Sequence, residues 1–142
     1  MSNNILGGNW IYRSYLNDQS FIGDDPQKAL NQIFGEGELQ FLSNIDQNFK
    51  AVLDFGNSMK MDLFGTVINT AGLTPQTLLI TGTGREGTST AKWVYQYQGY
   101  IVPDWPQGVD QVPAILGTVV RTIPHGSGAA GVVASFIAIK QK

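Results

Sequence analysis

Short runs of alternating hydrophobic and polar residues, separated by glycine-rich turns, dominate this sequence. Alternation with a period of two places successive side chains on opposite faces of a strand, so each run predicts a β-strand. The turns contain residues such as Gly56, Asn57 and Gly87, which tolerate the positive φ angles that tight hairpins need. The pattern predicts eight strands, at residues 8–16, 37–43, 48–55, 60–69, 76–83, 90–102, 112–123 and 131–140.

Most connections after the second predicted strand are short, which favours an antiparallel meander. Eight consecutive strands in a chain of 142 residues predict a closed up-and-down barrel, because closure leaves no strand edge unpaired. We therefore expect an all-β fold in which residues 1–142 form a single domain.

The segment between the first two predicted strands has a helical pattern. Asp25 is a favourable N-cap, Pro26 suits the first helical position, and Gly35 suits the left-handed position after a helix. The apolar residues between them share one face at helical spacing: Ala29, Leu30, Ile33 and Phe34. The sequence predicts one short α-helix here, which covers one end or side of the barrel.

Aromatic residues occupy the predicted inward faces of the first and sixth strands. Trp and Tyr carry polar groups that Phe and Leu lack, so their use on inward faces indicates a cavity with apolar walls and a few polar tips. The alternative is that the same rings simply fill the barrel. The predicted cavity-lining residues are Trp10, Tyr12, Trp93, Tyr95 and Tyr97.

Gly8-Asn9-Trp10 opens the first strand with a Gly-x-Trp pattern. With the eight-strand count, it resembles the calycin barrels, which include lipocalins, fatty-acid-binding proteins and the avidins. The size and the aromatic strands are most similar to the streptavidin-like fold. The resemblance implies that Trp10 closes a barrel end and packs against an arginine of a late strand, with Arg121 as the candidate. Biotin binding is not implied, because Tyr12 replaces the avidin asparagine.

The following avidin serine also has no counterpart, since Leu16 and Asn17 lie near its position. The resemblance therefore concerns the fold and leaves the ligand open.

Composition excludes several function classes. The net charge is −2 and only 14% of residues are charged, which argues against nucleic-acid binding and a polybasic membrane surface. There is no cysteine and only one histidine, so disulfides, thiolate catalysis, zinc knuckles, iron–sulfur clusters and histidine-rich metal sites are excluded. We expect neither a metal nor a cofactor. No signal peptide or membrane-spanning stretch is visible, so we expect a cytoplasmic protein, although a mature secreted chain has the same appearance.

Two motifs resemble known functional motifs, a dinucleotide-binding loop and a catalytic triad. Residues 82–87 match G-x-G-x-x-G, but a strand pattern follows where a dinucleotide site needs a helix, so we interpret them as a hairpin. His125 and Ser127, with Asp104 or Asp110, suggest a triad, but no G-x-S-x-G elbow is present. His125 is either an ordinary turn residue or a hydrogen-bonding or acid–base group at the barrel mouth.

Two further features predict contacts beyond the core. The long connection 102–113 carries three prolines and Trp105, which we expect to close over the barrel mouth or that of a neighbouring subunit. Strands seven and eight carry apolar residues on both faces, which predicts a homo-oligomer, either a dimer or a tetramer.

These observations favour a barrel that binds a small, largely apolar molecule, with Trp105 as a lid and Arg121 or His125 orienting a polar group. An alternative is a cofactor-free cyclase or isomerase resembling allene oxide cyclase, whose catalysis depends on shape and orientation. A third possibility is a barrel whose loops bind or inhibit another protein.

Overall fold

The computed structural model describes residues 6–45, 47–69, 76–102 and 105–141. They form a closed antiparallel barrel in which each strand pairs with the next and the last pairs with the first. The predicted all-β, up-and-down barrel is confirmed. The eight strands are β1 (Gly8–Tyr15), β2 (Ile33–Ile45), β3 (Asn48–Asp54), β4 (Lys60–Ile68), β5 (Thr77–Gly84), β6 (Val94–Ile101), β7 (Ala114–Arg121) and β8 (Val133–Lys140).

Side chains alternate between the interior and the outer surface, with the phase that the sequence predicted. In β1, Trp10, Tyr12 and Ser14 are buried, and in β6 Tyr95 and Tyr97 are buried. Branched aliphatic side chains and methionine fill the space between these rings and complete one continuous apolar core, which includes Leu53, Met61, Leu63, Leu78, Ile115 and Val119.

The helical segment begins where expected but has 3₁₀ rather than α geometry. The Asp25 side chain accepts a hydrogen bond from the Gln27 N–H, and Pro26 occupies the first helical position. The helix ends at Gln32, because Ile33 is extended and pairs with Tyr15 of β1. Strand pairing therefore overrides the helical pattern.

Two consequences of this early end differ from the sequence expectation. Gly35 lies within β2 rather than after a helix, and Leu30 is 66% exposed. Phe34 turns into the barrel as part of the strand and packs against the core. A short 3₁₀ turn, Gln19–Phe21, precedes the helix.

The G-x-G-x-x-G segment spans the end of β5 and the start of the connection to β6, as the hairpin interpretation predicted. β6 begins at Val94 rather than residue 90, because Thr90 is part of a buried turn. Its hydroxyl donates to the Lys60 carbonyl at 2.8 Å and accepts from the Arg85 N–H at 3.0 Å. A Cβ at Gly84 would lie 1.6 Å from the Thr90 carbonyl oxygen, so this approach requires glycine.

The two ends of the barrel differ. The Trp10 end contains the start of β1, residues 105–113 before β7, and the end of β8. Leu6, Trp10, Phe41 and Phe49 fill this end. The opposite end, called the open end below, is formed by four connections: residues 16–32, 55–59, 85–93 and 122–132. In the part of the chain described, no helix has the length and apolar character needed to span a bilayer.

Candidate ligand-binding site

A cavity of about 290 Å³ opens at the open end and reaches into the barrel. Its walls are mostly aromatic, and its polar groups are few, which is the composition typical of small-molecule pockets. Four strands, β1, β2, β6 and β7, and three connections contribute to it. The lining residues are Tyr12, Ser14, Phe34, Gly35, Glu36, Phe55, Met59, Trp93, Tyr95, Tyr97, Val119, Arg121 and His125.

A stacked pair of rings forms one wall at the mouth. The Trp93 indole and the His125 imidazole have centroids 4.7 Å apart and planes 20° apart. Trp93 ends the 85–93 connection, next to the start of β6. His125 lies in the 122–132 connection, where its N–H and C=O pair with Gly128 at 3.1 and 2.8 Å. Backbone pairing thus holds the histidine against the indole although both residues lie outside strands.

A chain of hydrogen bonds connects Arg121, Tyr95 and His125. Arg121 Nε donates to Tyr95 Oη at 3.3 Å, and Tyr95 Oη lies 2.8 Å from His125 Nε2. A guanidinium only donates, so the phenol oxygen accepts from it and can donate its own proton to Nε2. This direction favours the neutral imidazole with its proton on Nδ1.

The pKa of His125 supports the neutral form. Burial lowers this pKa from its ordinary value, and the positive charge of Arg121 lowers it further. Both effects disfavour the imidazolium, so the His125 ring is mostly uncharged at neutral pH and accepts a hydrogen bond through Nε2.

Among the described residues, Arg121 is held against aromatic rings rather than against an acid. Its guanidinium carbon lies 5.0 Å from the centroid of Phe34 and 5.9 Å from that of Tyr95, distances suited to cation–π contacts. Its Nη1 donates to the Ala129 carbonyl at 3.2 Å. A Cβ at Gly128 would lie 2.7 Å from the guanidinium carbon, so glycine makes room for this side chain.

The deep part of the cavity is lined by uncharged phenols. Tyr12 and Tyr97 are in edge-to-face contact at 6.2 Å, and both pack on Phe136. Burial raises the pKa of Tyr12 to about 12, and burial raises the pKa of Tyr97 well above its ordinary value. Both hydroxyls therefore stay protonated, with Ser14 beside Tyr12 as a further hydrogen-bonding group.

Of the eight residues that the sequence suggested as ligand-binding, the structure brings six to this cavity and two to other places. The six are Tyr12, Trp93, Tyr95, Tyr97, Arg121 and His125. Trp10 fills the Trp10 end, where it has no exposed surface and its Nε1 donates to the Leu6 carbonyl at 2.9 Å. Trp105 is 71% exposed on the connection 102–113, at the same end as Trp10. It does not cover this cavity.

The pairing of Trp10 with Arg121, implied by the calycin resemblance, is wrong. Trp10 lies near the start of β1 and Arg121 ends β7, so they are at opposite ends of the barrel. The cation near Trp10 is Lys140 instead, with its Nζ 6.0 Å from the indole centroid. A triad with Asp110 is also contradicted, because Asp110 lies on the connection 102–113, far from His125. Asp104, the other candidate acid, lies outside the described residues.

Sequence reasoning missed several lining residues. Phe34 was assigned to the helix, and Met59 follows a turn whose Asn57 and Ser58 adopt positive φ angles. Phe55 had a usable signal, because it continues the inward alternation of β3 by one residue. Among the residues described here, no group of three or more His, Asp or Glu side chains is close enough to hold a metal ion.

Comparison of the chain with protein-family models, with curated proteins and with solved structures gave no match. The eight-stranded closed barrel is consistent with a calycin-like architecture. The basis for proposing a function is therefore the geometry and lining of the cavity.

Proposed function

We propose that this protein binds a small, largely apolar molecule in the cavity at its open end. The observation that carries this proposal is the cavity of about 290 Å³ and its lining, in which aromatic rings from β1, β2, β6 and the adjoining connections surround a few convergent polar groups. Concave apolar surfaces of this kind are the usual form of small-molecule sites, and this one is at the lower end of their common size range.

The arrangement of the rings supports a planar, aromatic or unsaturated ligand. Trp93 makes edge-to-face contacts with Phe55 at 6.0 Å and with Tyr95 at 6.1 Å, and its other partner is His125. These mutual contacts fix the orientation of each ring before a ligand arrives. A preorganised wall loses little side-chain entropy on binding, which favours affinity.

Fluorescence titration with the uncharged dye N-phenyl-1-naphthylamine tests the proposal. The dye should bind the parent protein with a single saturable site. Trp93→Ala removes one wall and should weaken binding about tenfold, because such anchoring aromatics commonly contribute more than 1 kcal/mol. Trp105→Ala is the matched control, since it removes the same side chain from the Trp10 end, and it should leave the affinity unchanged.

Absence of saturable dye binding to the parent would overturn the proposal. Equal weakening by Trp93→Ala and Trp105→Ala would also contradict it, because the dye would then not be in this cavity. Far-UV circular dichroism of both variants checks that the barrel remains folded.

An enzymatic role is the second candidate, and the hydrogen-bonded chain through Arg121, Tyr95 and His125 favours it. A phenol between a guanidinium and a neutral imidazole is placed to give or take a proton at the cavity mouth. A barrel cyclase or isomerase would convert a bound unsaturated molecule without changing its mass. Chromatographic retention of a co-purifying molecule, before and after incubation with fresh protein, therefore distinguishes turnover from simple binding.

A further inference from the structure

The cavity contains a positive charge that no acid in the described part of the chain pairs with. Two lining residues are charged, Arg121 and Glu36. Glu36 is paired with Arg13, whose Nε donates to Glu36 Oε2 at 2.6 Å and whose Nη2 forms an ion pair with the same oxygen at 2.5 Å. Within the described ranges, Arg121 has no carboxylate within 4.0 Å, and its two protein acceptors are the neutral Tyr95 hydroxyl and the Ala129 carbonyl.

The guanidinium is also fixed in place. It lies over the Phe34 and Tyr95 rings, and the turn at Gly128 leaves room for it. Arginine carries five N–H donors in a planar fork that matches the two oxygens of a carboxylate. With only Nε and Nη1 engaged by the described residues, donors remain for an external anion.

The interior decides which end of a ligand reaches Arg121. The deep phenols of Tyr12 and Tyr97 stay protonated and lie against Phe136, so that region favours an uncharged ring over an anion. The Trp93–His125 wall adjoins the mouth and offers a flat surface to a second ring. At about 290 Å³ the cavity is at the lower end of the size range of ligand pockets, which extends to about 1,000 Å³, so it suits a ligand of one or two rings.

We propose that the ligand is a small aromatic carboxylate of one or two rings, whose carboxylate pairs with Arg121 while its rings lie inward along Trp93. This inference rests on the proposed function and narrows it to an anionic class. The net charge of the protein is −2, so a preference for anions would arise from this local cation rather than from the overall charge.

Isothermal titration at pH 7 with 2-naphthoate and its uncharged isostere 2-naphthamide tests the inference. The parent protein should bind the naphthoate about tenfold or more tightly than the amide, as expected for a charge-assisted pair in a partly buried site. In Arg121→Gln this preference should disappear, and the amide affinity should stay within about threefold of the parent value.

Arg85→Gln is the matched control. Arg85 lies at the same end of the barrel but pairs with Asp62 outside the cavity, so the preference for naphthoate should persist. Arg121→Lys keeps the charge without the planar fork and should show a reduced preference. If Arg121→Gln fails to fold, the comparison of the two compounds on the parent still decides the inference.

The outcomes separate the two proposals. Equal binding of naphthoate and amide by the parent would overturn the carboxylate inference and leave the apolar binding function intact. Failure of both compounds and of the uncharged dye to bind would overturn the proposed function itself. A naphthoate preference that survives Arg121→Gln would overturn the role of Arg121, and tighter binding of palmitate than of naphthoate would overturn the aromatic class.

Discussion

The Tyr95 hydroxyl lies 2.8 Å from His125 Nε2 while it accepts a hydrogen bond from Arg121. A side-chain hydrogen bond thus joins Tyr95, in β6, to His125, in the connection between β7 and β8. Because a guanidinium can only donate, the Tyr95 oxygen accepts from Arg121, and the Tyr95 proton is available to the imidazole. We therefore expect Tyr95 to donate to His125 Nε2. The state of the His125 ring therefore depends on its neighbours rather than on solvent alone.

Tyr95→Phe should change the tautomer of His125. With the phenol present, the proton of the neutral ring is expected on Nδ1. Without it, Nε2 loses its donor, and a larger share of the ring should carry its proton on Nε2. Long-range ¹H–¹⁵N correlation spectra of the single histidine report this ratio directly. An unchanged nitrogen shift pattern in Tyr95→Phe would show that the phenol does not set the tautomer.

Arg121→Gln should raise the pKa of His125. Burial lowers this pKa most, and the positive charge of Arg121 lowers it further. Removing the charge therefore removes only the smaller of the two effects. The pKa should rise yet stay below the ordinary histidine value of about 6.5. NMR titration of the imidazole measures it, with Arg85→Gln as a control that leaves the value unchanged. A His125 pKa that is equal in Arg121→Gln and the parent would contradict the electrostatic coupling.

The same depressed pKa predicts how stability depends on pH. The unfolded chain binds a proton at His125 at higher pH than the folded chain does. The contribution of this group is therefore fully present above the ordinary histidine pKa and is lost as pH falls through the folded value. His125→Gln should flatten this part of the stability profile, measured by urea unfolding between pH 7 and pH 5. If the free energy of unfolding falls with pH as steeply in His125→Gln as in the parent, groups other than His125 cause the loss of stability.

Alternation allowed the inward face of β1, β3 and β6 to be predicted, because one buried face enforces a period of two. The six residues brought to the cavity are mostly those that this phase selected. The predicted pairing of Arg121 with Trp10 was wrong, and the up-and-down topology explains why. β1 and β7 run in the same direction in an up-and-down barrel, so the start of one and the end of the other lie at opposite ends. The position of Trp105 follows from the same rule, since the β6–β7 connection is at the end where β1 begins.

The sequence predicted where the helix begins but not where it ends. Asp25 and Pro26 give the local start signals, and they are correct. The end of the helix is decided by the pairing of Ile33 with Tyr15, which is a tertiary contact. Local propensity gives way where a strand gains hydrogen bonds to its neighbour. Phe34 therefore enters the cavity wall through strand pairing that the helical spacing did not reveal.

The two tryptophans at the Trp10 end should differ strongly in their effect on stability. Trp10 has no exposed surface and contacts Phe41 edge-to-face at 5.9 Å, so Trp10→Ala should lower the free energy of unfolding by about 3–5 kcal/mol. Trp105 is mostly exposed, and Trp105→Ala should change it by less than about 0.5 kcal/mol. Urea unfolding followed by circular dichroism measures both. A large decrease in the free energy of unfolding of Trp105→Ala would show that the Trp105 ring packs against the protein or a partner subunit.

The outer surface formed by β7, β8 and β1, called the outer apolar face here, should mediate association of two copies of the chain. Leu116 is 46% exposed and lies opposite Ile137, while Ile139 lies opposite Ile11 on the next strand. Contiguous exposed aliphatic side chains of this kind are typical of subunit interfaces. We expect the parent protein to sediment as an oligomer at micromolar concentration, and Ile137→Asp to sediment as a monomer.

Phe64→Asp is the matched control for this association. Phe64 is an outward-facing residue of β4, on the opposite side of the barrel, and is 49% exposed. The same apolar-to-acidic change there should leave the oligomer intact, with Lys50 nearby to balance the new charge. If both variants dissociate, the interface lies elsewhere on the barrel. If the parent protein is already monomeric at micromolar concentration, the outer apolar face does not pair with a second copy.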